Sequence, residues 1–306
     1  MTSDGLPDWV PGWCADRLGD EPVGVLFVVR QMSAVFGLRP ADGRDVVVKA
    51  RDDEGRAASC VAAQARLAER GFPCAQPLTP AVTVGAPAVH AEEHRPGGEL
   101  LGGDSPEVAA RYAAVFARLM AELADVTVAP PLPNPRWARW DHANPGLWPS
   151  ISVLYDRDQS AVPAHVVEAA ERTRKRLPAA DLPCVLGHAD FEAQNLRRRD
   201  GQVWAVHDRD SLAWQPEAPL VGAACGTFSS ATPPTLAPIR SSAAFLDAYQ
   251  ELRGRRFTTE EVEVAWAASL WPATHNARWE ALDGDARLVG EALRAQAAER
   301  LRRANA

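Results

Sequence analysis

The sequence predicts an α+β fold of two lobes, a small antiparallel β-rich lobe followed by a larger, mainly helical lobe. Short β-branched runs separated by turn residues occupy the first part of the chain, whereas helical apolar spacing dominates from Pro106 onward. The chain has 306 residues with 46% hydrophobic content, which is enough to bury a large core in two lobes.

The β-rich lobe is predicted from an antiparallel meander. Its strands are expected at Val23–Arg30, Val35–Arg39, Val46–Lys49 and within Val82–Val89. Turn residues at Gln31–Ala34 and Ala41–Arg44 separate the first three runs. This lobe would comprise residues 1–95 and the helical lobe residues 96–306, with a hinge at residues 91–98.

The helices are predicted from apolar residues spaced three and four apart. They are expected at Gly55–Arg70, Pro106–Asp125, Pro163–Leu177, Ser241–Arg253, Thr258–Trp271 and Asp285–Arg303. Thr258 and Glu261 have the spacing of a capping box. Residues 126–159 are rich in proline and tryptophan, so they either shape a substrate pocket or cover the core as a packed loop.

One motif carries chemistry: His188-Ala-Asp190, then Asn195, then Asp208 after an apolar strand. An Asp-Gly turn at residues 200–201 predicts a hairpin that would bring Asp208 beside Asn195. One carboxylate at this spacing could orient and deprotonate a hydroxyl, while an amide and a second carboxylate could hold Mg²⁺ on nucleotide phosphates. The alternative is a capping Asp and a turn Asn that match the pattern by accident.

This pattern resembles the aminoglycoside phosphotransferase and choline kinase family, which is related to protein kinases. The resemblance implies a two-lobed protein-kinase-like fold that uses ATP or GTP as co-substrate. It assigns Asp190 as the catalytic base and Asn195 and Asp208 as magnesium ligands. It gives His188 a structural role in bracing the catalytic loop.

The resemblance also implies a role for Lys49, which ends the third predicted strand. In such folds this lysine contacts the α- and β-phosphates. Lys49 and Lys175 are the only lysines of the chain, which otherwise uses arginine. Ser33, in the first turn, would lie over the phosphates. The alternative for Lys49 is a solvated lysine at the end of a strand.

The sequence departs from the family at the helix glutamate that should pair with this lysine, because that position is Cys60. Gln64 and the acids before the helix are candidate substitutes; those acids are Asp52, Asp53 and Glu54. The missing glutamate also motivates a different class of function, a nucleotide-binding pseudokinase that acts as a sensor or scaffold.

The connector between the lobes is expected to begin at Glu92. By the resemblance, the backbone around Glu92, Glu93 and His94 would bind the edge of the adenine. The alternative is an ordinary turn.

A substrate site is expected in the last third of the chain. Polar and aromatic residues there could bind a hydroxylated or aminated ligand, and a solvated loop explains them equally well. These residues are His275, Trp279, Glu280 and Asp283. Asp210 is a further candidate for the substrate site or a second metal contact, with a capping turn residue as its alternative.

Composition limits the classes of function. The net charge of −7 and the absence of a basic cluster disfavour nucleic-acid binding and permit a cationic substrate. Five dispersed cysteines favour reduced thiols in a cytoplasm and disfavour a zinc site. No long apolar run or secretory signal is evident, so membrane association is not expected. The expected activity is ATP-dependent phosphorylation of a hydroxyl on an aminoglycoside-like molecule, with antibiotic resistance as one outcome, or on another small metabolite.

Overall fold

A computed structural model describes residues 5–30, 33–52, 55–128, 134–151, 154, 156–284 and 287–306. These residues divide into two compact units. The first comprises the described residues within 1–98, 126–133 and 204–210, and the second those within 99–125, 134–203 and 211–306. In the described part of the chain, no helix is long and apolar enough to cross a membrane.

The first unit contains a five-stranded antiparallel sheet. Its strands are β1 (Pro22–Arg30), β2 (Ala34–Pro40), β3 (Val46–Asp52), β4 (Val82–Thr83) and β5 (Pro87–Glu93). They lie in the order β1-β2-β3-β5-β4. The predicted meander is therefore confirmed, but β3 continues beyond Lys49 and β5 extends to Glu93.

The two faces of this sheet bury different side chains. One face carries apolar residues of β2, β3 and β5, which pack with Val10 and Trp13 of helix α1 (Trp9–Leu18). The sequence pattern had not predicted α1. Because side chains alternate along a strand, Lys49 lies on the opposite face from Val48. That face therefore carries the polar residues of the site.

Helix α2 (Ala57–Glu69) closes the polar side of the first unit, and its bounds agree closely with the predicted helix. Its buried residues include Cys60, Gln64 and Leu67. Gly71 ends this segment with a positive φ of 74°, a conformation that glycine adopts at low cost.

The second unit is mainly helical, as predicted. Its helices are α3 (Pro106–Leu123), α4 (Ala164–Arg176), α5 (Glu217–Thr227), α6 (Ile239–Arg253), α7 (Thr259–Ala268), α8 (Trp271–Asp283) and α9 (Leu288–Arg303). The capping box of Thr258 and Glu261 is present at the start of α7. Tyr112 and Phe116 of α3 form a buried aromatic cluster with Phe191.

Two helices of the second unit approach each other at glycine. A Cβ on Gly222 of α5 would lie 2.2 Å from the carbonyl oxygen of Ala265 in α7. A Cβ on Gly226 would lie 2.3 Å from the carbonyl oxygen of Ser269. The absence of side chains at these positions allows the helix backbones to pack closely.

Two helical predictions need correction. The helix expected at Thr258–Trp271 ends at Ala268, and a new helix begins at Trp271, with Pro272 in its first turn. Proline has no N–H to donate to the preceding turn, which favours this break. The segment with His275 and Glu280, for which a loop was an alternative, is therefore helical. Asp285, the predicted start of the last helix, lies outside the described residues.

The segment from His188 to Asn195 connects two short strands, β6 (Cys184–His188) and β7 (Leu196–Arg199). β6 pairs antiparallel with β9 (Leu212–Pro216), while β7 pairs with β8 (Gln202–Val206). Asp200 and Gly201 have φ of 52° and 77°, as the predicted Asp-Gly turn requires. The hairpin is thus confirmed.

Candidate active site

Asp190 is held by its own loop. Its backbone N–H donates to His188 Nδ1 at 3.2 Å, and the amide nitrogen of Asn195 donates to its carbonyl oxygen at 3.1 Å. His188 is buried and its ring packs edge-on against Phe191. The structure thus gives His188 a contact suited to bracing the loop, while Asp190 itself is half-buried.

Asp190 opens onto a cavity within the second unit, with a volume of about 60 Å³. Three aromatic rings line it: Trp137, Trp140 and Trp271. Its polar lining residues are Asp190, Glu192, Gln215, His275 and Asn276. Small apolar side chains form the rest of the wall. The cavity therefore combines flat apolar surfaces with two carboxylates.

Two buried polar atoms on this cavity lack hydrogen-bond partners among the described residues. They are Gln215 Nε2 and His275 Nδ1. Burial, reinforced by the charge of Arg278, lowers the pKa of His275 to about 4, so its ring is neutral near pH 7. Since buried polar groups are nearly always hydrogen-bonded, these atoms fit a polar ligand or ordered water.

The other substrate candidates of the last third have different contacts. The Glu280 carboxylate accepts the N–H groups of Val289 at 2.9 Å and Gly290 at 3.0 Å, so it caps the first turn of α9. Asp283 pairs with Arg157 at 3.2 Å. Neither these acids nor Trp279 belong to the cavity lining. For Glu280 the expected substrate contact is therefore corrected to a helix-capping role.

Lys49 has a carboxylate partner in the first unit. Its Nζ lies 2.8 Å from Oε1 of Glu92, and both side chains are buried. Burial alone would lower the pKa of Lys49, but the charges of Glu92, Asp210 and Asp208 outweigh burial and raise it. Burial opposes ionisation of Glu92 as well, yet the Lys49 ammonium holds the pKa of this carboxyl well below its usual range.

Glu92 corrects two expectations. It belongs to β5, not to the connector, and its side chain replaces the missing helix glutamate. Gln64 does not contact Lys49; its Nε2 donates to Glu92 Oε2 at 2.9 Å. Asp52 is exposed at the end of β3, while Asp53 and Glu54 lie outside the described residues. Finding Glu92 required the pairing of β3 with β5, which a single sequence does not provide.

Two backbone N–H groups of the predicted connector already donate hydrogen bonds within the first unit. The N–H of Glu93 donates to the carbonyl oxygen of Gln76 at 2.9 Å, and that of His94 donates to Asp45 at 3.3 Å. These two donors therefore have partners within the first unit, and a role of the connector backbone in binding the adenine edge stays a prediction. Ser33 is half-buried just before β2, and its contact with phosphate stays a prediction.

Asp208 and Asp210 follow β8 in the first unit. Asp208 has a φ of 56°, a left-handed conformation that is uncommon outside glycine and enriched at functional positions. Asp210 is buried and forms an ion pair with Arg51 of β3. Burial raises the pKa of Asp210, but the charges of Arg51 and Lys49 more than offset this and lower it. A contact of Asp210 with the substrate or with a second metal ion stays a prediction.

Asn195 and Asp208, the predicted metal ligands, both carry side-chain oxygen atoms. The described residues contain no group of three or more His, Cys, Asp or Glu side chains that could hold a metal ion. Mg²⁺ usually keeps several waters and takes one or two protein ligands plus substrate phosphates. Because Asn195 Nδ2 is bonded to Asp190, its amide oxygen is the atom suited to a hard cation. The proximity of Asn195 to Asp208 stays a prediction.

Searches against protein-family models and curated proteins return no match. Solved structures do match. An amicoumacin kinase in complex with AMP-PNP, Ca²⁺ and Ami has a TM-score of 0.61 at 12% identity, over 92% of this chain and 88% of that one. An aminoglycoside phosphotransferase from Alicyclobacillus acidocaldarius has a TM-score of 0.57 at 14% identity, over 99% and 96%.

A third similar structure is a thermostable mutant of aminoglycoside phosphotransferase APH(4)-Ia in a ternary complex with AMP-PNP and hygromycin B. Its TM-score is 0.54 at 14% identity, over 97% of this chain and 99% of that one. These matches span nearly the whole chain. The predicted two-lobed α+β protein-kinase-like fold is therefore confirmed.

Proposed function

We propose that the protein is an ATP-dependent phosphotransferase that phosphorylates a hydroxyl of a small molecule. The observation that carries the proposal is the half-buried Asp190, held by His188 and Asn195 and opening onto a cavity. The kinase-like fold supports it, since two of the similar structures contain AMP-PNP, one together with Ami and the other together with hygromycin B.

Each motif residue has a proposed role. Asp190 orients the acceptor hydroxyl and takes its proton, and Lys49 neutralises the nucleotide phosphates. Asn195 and Asp208 are the proposed ligands of Mg²⁺, which neutralises charge on the transferred phosphate when bound. Positioning and electrostatics account for most of the rate in such a reaction.

The cavity limits the class of acceptor. Tryptophan faces favour a ring or a protonated amine, and the carboxylate of Glu192 is compatible with a positive charge. Gln215 Nε2 is a donor, so it would bind an oxygen of the ligand. We therefore propose a hydroxylated acceptor with a ring face or a protonated amine, either an antibiotic or a metabolite.

The unpaired state of all five cysteines is consistent with the proposed cytoplasmic location.

A pseudokinase is the less favoured alternative. It was motivated by the missing helix glutamate and by the segment after Asp208, which lacks the glycine-aspartate-proline run that is usual in the family the sequence resembles. Glu92 supplies the missing carboxylate. In the altered segment, Glu217 opens α5 and pairs with Arg255 at 2.9 Å. The missing helix carboxylate thus has a structural substitute.

The proposal is tested by nucleotide consumption with Mg²⁺ against amino sugars, aminoglycosides and hydroxylated aromatic amines. Asp190→Asn should lower acceptor-dependent turnover by about 100- to 10,000-fold, because a general base contributes that much. Asp200→Asn is the matched control, since Asn tolerates the left-handed turn at this exposed position. Equal turnover by Asp190→Asn and the control would remove Asp190 from its role.

A further inference from the structure

Lys49 and Glu92 are joined through the sheet itself. In the antiparallel register of β3 and β5, Lys49 pairs with His90 and Val47 pairs with Glu92. Lys49 and Glu92 are therefore diagonal neighbours on one face of adjacent strands. The pairing of β3 with β5 thus places the two side chains within reach of each other, and Nζ and Oε1 lie 2.8 Å apart.

Helix α2 contributes a neutral side chain to this pair. Gln64 is 2% exposed, and its Nε2 donates both to Glu92 Oε2 and to the carbonyl oxygen of Ala75, each at 2.9 Å. The Gln64 amide thus binds Oε2 of Glu92, while Oε1 of Glu92 faces Lys49. Cys60, at the position of the missing glutamate, contacts Arg56 through its sulfur at 3.7 Å.

Both side chains of the Lys49–Glu92 ion pair are buried, so each charge depends on the other. Lys49 is 9% exposed and Glu92 is 4% exposed. A buried ammonium without its partner would be strongly disfavoured, and its pKa would fall. Glu92 thus keeps Lys49 both charged and directed.

We propose that Glu92 is a positioning residue for Lys49, and that Gln64 orients Glu92. The lysine is anchored by its own sheet, so its placement does not depend on a carboxylate from helix α2. The inference rests on the proposed function, because the task of Lys49 is to bind nucleotide phosphate.

The test is binding of Mg²⁺ with a fluorescent ATP analogue to the full-length protein, which needs no acceptor. Glu92→Gln should weaken binding roughly 10- to 100-fold, as expected when a phosphate-binding group loses its orientation. It should also move the alkaline loss of affinity to lower pH, because Lys49 loses a charge that raises its pKa. Glu69→Gln, at an exposed pair on the same region of α2, is the control and should bind as wild type.

A charge swap separates positioning from a merely structural role. Gln64→Glu combined with Glu92→Gln moves the carboxylate from the strand to the helix and keeps the contact between positions 64 and 92. The double variant should recover at least part of the lost affinity, and its alkaline loss of affinity should move back towards the wild-type pH. Glu92→Asp, which keeps the charge with a shorter reach, should be intermediate, and melting curves establish that each variant is folded.

The outcomes separate the two proposals. If the wild type binds the analogue and folded Glu92→Gln binds it equally well at every pH, the role of Glu92 is overturned and the proposed function stands. Wild type that does not bind the analogue would overturn both. Weakened binding that the charge swap restores would establish the positioning role.

Discussion

At the scale of single residues, the candidate site contains side chains that orient neighbouring groups through hydrogen bonds and ion pairs. His188 accepts the N–H of Asp190, and Glu92 pairs with Lys49. The sequence predicted roles for Asp190 and Lys49, because these residue types at these positions suggest phosphoryl transfer. It did not identify Glu92 as the partner, since that contact depends on strand register. Nor did the pattern of acids distinguish Glu280, which caps a helix, from a ligand-binding carboxylate.

We expect His188→Ala to reduce kcat while leaving nucleotide affinity unchanged. The variant removes the acceptor of the Asp190 N–H, so the carboxylate loses its fixed direction, at a cost of roughly tenfold or more in turnover. Steady-state kinetics with ATP as the varied substrate would measure kcat and KM separately. An unchanged kcat would show that Asp190 does not need this hydrogen bond.

His275 should bind the acceptor in its neutral form. His275→Ala is expected to raise the acceptor KM, and the ratio of variant to wild-type KM should stay constant from about pH 6 to 8, because the pKa of His275 lies near 4. Initial-rate measurements across this range would test both points. A ratio that changes with a midpoint near pH 6.5 would mean that the imidazole titrates in the usual range.

At the scale of elements, the predicted helices and strands are largely present because apolar periodicity and turn residues determine them locally. Helix α1 was missed because its proline and glycine weaken the helical signal, yet Val10 and Trp13 bury against the sheet. The division between α7 and α8 was missed because aromatic residues continue across it. Tertiary packing decided the first case, whereas Pro272 favours the break in the second.

The close crossing of α5 and α7 should tolerate no side chain at Gly222. Gly222→Ala places a Cβ against the Ala265 backbone and should destabilise the protein by about 1–3 kcal/mol through overpacking. Gly12→Ala is the matched control, because α1 has open space at that position, and it should be neutral or stabilising by up to about 1 kcal/mol. Urea unfolding gives both values, and equal stability of the two variants would contradict the described packing.

At the scale of the whole molecule, several carboxylates are ionised more readily than usual because they face cationic side chains. Glu92, Asp210 and Glu261 each have a pKa below the ordinary value despite burial. The fold class followed from the order of strands and helices in the sequence. The acceptor did not follow, because a pocket assembled from distant segments has no local signature.

These lowered pKa values predict the direction of acid unfolding. The unfolded chain binds more protons than the folded protein below the ordinary carboxyl values, so the contribution of these carboxylates to stability is complete above about pH 5 and is lost as pH falls through about 4 and below. The lowered pKa of His275 adds a further loss of stability that begins below about pH 6.5. Thermal melting between pH 3 and 7 would measure this. A melting temperature that is flat or rises towards pH 3 would contradict the described ion pairs.

The most direct test of the central claim is ³¹P NMR of the protein with MgATP and an acceptor that stimulates nucleotide consumption. We predict that a phosphomonoester resonance of the acceptor appears as the γ-phosphate signal of ATP decreases, and that Asp190→Asn suppresses both changes. Release of inorganic phosphate without a phosphorylated acceptor, at the same rate in wild type and Asp190→Asn, would contradict the assignment of the protein as a small-molecule phosphotransferase.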